Sequence, residues 1–165
     1  MTWFFRDRRH KAPAGQIAHD LFFIMVDEEQ ECAQPEKFHV PTSIWPKFRA
    51  KMRLYREATG LMLLLSHAQK ETKYEEVLKS YESRILPSTP TPEGMTKLEA
   101  LKTAMQHIEE LVDPKTERRE LSWSMAWFND ISHAETNPAT LALFSTYWMD
   151  YYIAVAKALA DLRPT

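Results

Sequence analysis

In Thr91-Pro92, Asp113-Pro114 and Asn137-Pro138 a proline follows a residue that caps helices. A side-chain oxygen at the N-cap accepts a bond from an amide that has no partner in the helix. Proline at the next position gives up an N–H that would be unsatisfied anyway, and its φ is already helical. A chain punctuated in this way is cut into helices. Only three glycines are present, so few turns can rely on positive φ. Between the prolines apolar residues recur every three or four positions and no stretch alternates, which predicts an all-α fold.

The spacing predicts six helices, over residues 14–33, 43–68, 73–86, 92–112, 114–134 and 138–162. Thr72 and Glu75 have the spacing of a capping box for the third. The connections are short except at 34–42 and 87–91, so sequential helices are expected to pack antiparallel. The tight turn at Asp113 makes the fourth and fifth a hairpin. At 165 residues one domain is the default. The expected architecture is a single-domain antiparallel helical bundle over 14–165, preceded by a basic and aromatic segment over 1–13.

Projection at 100° per residue identifies the inward faces. In the last helix these are Leu141, Phe144, Trp148, Tyr151, Tyr152, Val155, Leu159 and Leu162. In the fourth they are Leu98, Leu101, Met105, Ile108 and Val112. In the fifth, Leu121, Met125 and Phe128 are flanked by Trp123, Trp127 and Ile131. Residues 21–26 and 61–65 are apolar all round, which fits central turns of a bundle or a partner contact. Gly60, just before the second run, permits close helix approach.

Several chemistries lack their residues. Gly15, Gly60 and Gly94 are too scattered for a phosphate loop or a dinucleotide fingerprint. No Gly-x-Ser-x-Gly elbow is present. Cys32 is the only cysteine, which excludes an internal disulfide and a multi-cysteine zinc site. It follows Asp27, Glu28, Glu29 and Glu31, whose field raises a thiol pKa and blunts nucleophilicity. Asp130 with His133, and His107 with Glu110, are the pairs within the expected helices that come near the Glu-x-x-His spacing of di-iron bundles. They project away from the apolar faces, so no metal and no cofactor is expected. Glu28 shares a stripe with Ile17, Leu21 and Ile24, which marks either a buried acid or the point where the helix leaves the core.

Three features remain as carriers of function. The first is Trp3, Phe4 and Phe5 beside Arg6, Arg8, Arg9 and Lys11. Through residue 11 the chain carries a formal charge of +3, against −2 for the whole, which leaves −5 on the remainder. Such a segment suits an acidic groove on a partner or an anionic membrane surface. The alternative is a segment that folds back on the bundle or frays. The second is the start of the second helix, where Lys47, Arg49, Lys51, Arg53 and Arg56 flank Phe48, Met52 and Tyr55. Arg49, Arg53 and Arg56 form one side, fit for an acidic protein or for pairing with the acidic end of the first helix. Nucleic acid is disfavoured, because the short turn of a helix-turn-helix reader is missing. The third is aromatic density in the last two helices, where Trp123, Trp127, Trp148 and Tyr151 would line a ligand pocket or fill the core.

These features predict a non-enzymatic helical protein that acts through protein contacts, as a subunit, adaptor or assembly factor, with a protein partner or a second copy. The alternative is a bundle binding a small molecule or a metal, with catalysis attached. The unpaired cysteine favours the cytoplasm, with peripheral membrane attachment as an option.

Overall fold

The computed structural model describes residues 11–31, 35–87, 94–112 and 138–165. Among them are five α-helices: α1 (Ala14–Glu31), α2 (Trp45–Ala68), α3 (Tyr74–Ile85), α4 (Lys97–Val112) and α5 (Pro138–Asp161). A 3-10 turn, Pro35–Phe38, precedes α2. The helix expected over 114–134 lies outside the described residues, as do residues 1–10.

α2 is the central element, touching α1, α3, α4 and α5. Residues 54–61 are buried without a break, more than two full turns. A helix buried on every side must be surrounded by other helices. The apolar run 61–65 sits at the edge of this zone: Leu61, Leu63 and Leu64 are buried, while Met62 and Leu65 are half-buried.

α3 runs back along α2. His67 meets Tyr74, with ring centroids 5.0 Å apart, and Tyr81 lies against Gly60 near the middle of α2. A Cβ at Gly60 would lie 2.7 Å from Cζ of Tyr81 and closer still to its hydroxyl oxygen. The glycine is therefore what lets Tyr81, which is wholly buried, reach the α2 backbone. There it donates to the carbonyl of Glu57 at 3.3 Å.

Two helix starts differ from expectation. No side chain caps α3; Lys73 is its N-cap, and Thr72 contributes only its carbonyl, to Glu75 N. α4 begins at Lys97 rather than residue 92. Gly94 has φ +80°, a left-handed turn that ends any helix reaching it. The capping box falls instead on Thr96 and Glu99: Glu99 N donates to Thr96 Oγ1 at 3.3 Å, and Thr96 N donates to Glu99 Oε2 at 2.8 Å. α5 starts at Pro138, where the Asn137-Pro138 pair predicts it.

The inward face of α4 is also rotated. Ala100, Leu101, Ala104 and Ile108 are buried, whereas Leu98 is 53% exposed. Ala100 and Ala104 take places on the buried face, and Leu98 lies outside it. α5 follows its projection more nearly, burying Trp148, Tyr151, Val155 and Leu159.

Two clusters close the ends. Phe38 packs against Trp45, Phe48 and Tyr147 with centroids 6.0, 5.5 and 5.2 Å away, joining the 3-10 turn to α2 and α5. At the other end Tyr74 donates to the carbonyls of Leu162 at 2.6 Å and Leu159 at 3.2 Å, where carbonyls at the end of α5 lack helical partners. Beside them two short strands pair in parallel: β1 (Lys11–Ala12) with β2 (Arg163–Pro164). Thr165 N adds a bond to Ala12 O at 3.2 Å. No helix of the described residues is long and apolar enough to cross a membrane.

Candidate functional site

The residues of chemical interest fall into two neighbouring places, a buried polar cluster on α2 and an open groove between α2, α4 and α5. In the cluster, Glu57 is fully buried. Burying a carboxylate costs several kcal/mol unless cations and donors surround it, on the order of what a pair must return. Lys97 Nζ bonds one carboxylate oxygen, and Arg53 Nε lies 3.5 Å from the other. Lys97 is the first residue of α4, where the helix dipole disfavours a cation. Its position is explained by Glu57, which also opposes the lowering that burial imposes on the Lys97 pKa.

Around this pair the remaining polar atoms are arranged in order. Trp148 Nε1 donates to Thr59 Oγ1 at 2.9 Å, and Thr59 Oγ1 donates to the Tyr55 carbonyl at 2.7 Å. The Tyr55 hydroxyl lies 2.6 Å from His107 Nδ1, with the two rings stacked. Arg56 is 4% exposed and its guanidinium sits 5.8 Å from the centre of the Tyr151 ring. Burial, then Tyr151 and Glu57, hold the Tyr81 phenol well above its usual pKa, so it stays a neutral donor. The cluster ties α2 to α3, α4 and α5 by directional bonds. Such a network fixes which residues face one another, a register role that apolar packing supplies less sharply.

The groove has a volume of about 560 Å³. Its apolar lining includes Met62 and Leu65 of α2, Met105 of α4 and Tyr152 of α5, and its polar rim includes Lys102, Gln106 and Glu109. The two methionines are unbranched and polarizable, so they can remodel to fit an apolar partner.

The sequence candidates distribute as follows. Trp3, Phe4, Phe5, Arg6, Arg8 and Arg9 lie outside the described residues, as do Trp123 and Trp127. Lys11 is exposed, with its backbone in β1. Arg49 is exposed on α2, but Arg53 turns toward Glu57 and Arg56 is interior. The three arginines therefore do not share one outer face. Trp148 and Tyr151 are core residues, each 3% exposed, and the groove takes the neighbouring Tyr152 instead. Asp130 and His133 lie outside the described residues, and so does the side chain of Glu28. His107 is bound to Tyr55, and no cluster of metal-ligating residues is present among the described residues.

Sequence reading missed Glu57, though the signal was available. Leu54, Glu57, Leu61 and Leu64 recur at three, four and three positions, a carboxylate in an apolar stripe. Lys97, Leu101, Ala104 and Ile108 form the matching stripe on α4. No protein-family model, curated protein or solved structure matches this chain.

Proposed function

We propose that this chain is a non-enzymatic helical protein that acts through protein contacts, as a subunit, adaptor or assembly factor. The observation that carries the reading is the open groove of Met62, Leu65, Met105 and Tyr152 with its charged rim. An apolar floor with a polar edge is the anatomy of a surface that accepts an amphipathic partner. The exposed Leu98 continues the apolar surface along α4. The segment Trp3 to Lys11 and the exposed Lys47 and Arg49 are further contact surfaces, the first also suited to an anionic membrane. In this reading residues 114–134 supply the remaining helix of a six-helix antiparallel bundle, and the cytoplasm is the compartment.

Native mass spectrometry of the protein taken from its own host tests the reading. The expected result is an associated polypeptide that is lost on Met105→Lys, or on deletion of residues 1–10, a cut that spares β1. A stoichiometric small molecule with no associated polypeptide would overturn it.

A further inference from the structure

Leu98, Lys102, Met105 and Glu109 recur at four, three and four positions on α4. At 100° per residue they fall within an arc of about 60°, roughly opposite the buried alanine face. Leu98, Lys102 and Glu109 are exposed and Met105 is half-buried, so the stripe is on the surface. Its charges are ordered: a cation at one end and a carboxylate seven residues later, about 10.5 Å along the axis. Midway between them stand Met105 and Gln106.

A stripe of this kind is its own complement. When two copies of α4 meet antiparallel about a twofold axis beside Met105, Lys102 of each copy faces Glu109 of the other, and the methionines meet at the centre. A parallel meeting sets like charges opposite one another. Isologous contacts are built from one patch used twice, and the same-chain match of charge and spacing follows without a second sequence. We infer that the α4 stripe, with the groove beside it, docks a second copy of this chain as a twofold dimer. This rests on the protein-contact reading above and names the partner for that site. α4 presents a face about 24 Å long, so the contact belongs to the small, transient class and a Kd of about 10–100 µM is expected.

Sedimentation equilibrium of the full chain, from about 1 µM to about 1 mM, bracketing that Kd, reads the association. Lys102→Glu sets carboxylate against carboxylate twice, and Glu109→Lys sets ammonium against ammonium twice. Each variant alone should dimerise at least about tenfold more weakly than wild type. An equimolar mixture of the two should recover the wild-type constant, because each then meets its opposite charge, and the double swap should recover it within one chain. The inference is overturned if wild type stays monomeric throughout, if the single variants match wild type, or if the mixture remains as weak as its components. A monomeric wild type that still loses a different polypeptide on Met105→Lys refutes the second copy while leaving the protein-contact reading standing.

Discussion

Gly60→Ala is the sharpest test of how α2 and α3 meet. At an ordinary exposed helical site this substitution stabilises by about 1 kcal/mol, because alanine loses less backbone freedom on folding. Here the new methyl would stand 2.7 Å from Cζ of Tyr81 and nearer to the hydroxyl oxygen. Tyr81 has no solvent to retreat into, since it is wholly buried. The ring must push α3 away or leave its rotamer, an overpacking cost of about 1–3 kcal/mol. The bond from its hydroxyl to the Glu57 carbonyl is lost in the process, a further cost of about 1 kcal/mol. The penalties exceed the propensity gain, and we expect a net loss of about 1–3 kcal/mol. Urea unfolding followed by far-ultraviolet circular dichroism measures it directly. Tyr81→Phe removes the nearest obstacle, so Gly60→Ala should cost less in that background, with a coupling of at least about 0.5 kcal/mol. An increase in stability on Gly60→Ala, or an equal cost in both backgrounds, would refute the close approach as the reason for the glycine.

Glu57→Gln should destabilise by about 3 kcal/mol, the lower end for a broken buried pair, because Lys97 and Arg53 keep 10% and 20% side-chain exposure and water relieves part of the loss. The combined Glu57→Met and Lys97→Met should cost less than Glu57→Gln alone, and the urea midpoints decide between them. The His67 imidazole is held below its usual 6.5 by burial first and Lys70 second, with Glu71 opposing. The folded chain thus resists protonation there, so its contribution is present above pH 6.5 and lost as pH falls through the lowered folded value. Tm should fall on acidification below pH 6.5, and His67→Gln should flatten that part of the profile.

Much of the helical plan is legible in the chain because it depends on local chemistry. Asn137-Pro138 marks the start of α5, and Gly60 announces a tight crossing before its partner is known. The failures come where a tertiary choice outranks a local signal. Thr91-Pro92 predicts a start that Gly94, in its left-handed turn, and the Thr96–Glu99 box relocate to Lys97. Leu98 has every local reason to point inward, yet the buried face of α4 is centred on Ala100, Leu101, Ala104 and Ile108, and Leu98 falls outside it. A basic run such as Arg49, Arg53 and Arg56 reads as one surface until Glu57, a single acid just beyond it, draws one of those arginines inward. Composition cannot reveal that choice, because it depends on Lys97, forty positions away, arriving from another helix.

The short clasp of β1 and β2 has a consequence for the order of assembly. Its paired residues, Lys11 and Arg163, are 152 positions apart. Closing a flexible loop of that length first would cost about 4 kcal/mol in chain entropy, against a handful of backbone bonds in return. Once α1 has packed on α3, and α3 has met the end of α5 through Tyr74, the two strands are already neighbours and the cost largely disappears. The clasp is therefore a late event on the folding path. During vectorial synthesis the first turn of α1 waits until Arg163 has been made before its own approach is fastened. In the finished protein the same pairing should be among the first to open, and its amides among the quickest to exchange with solvent.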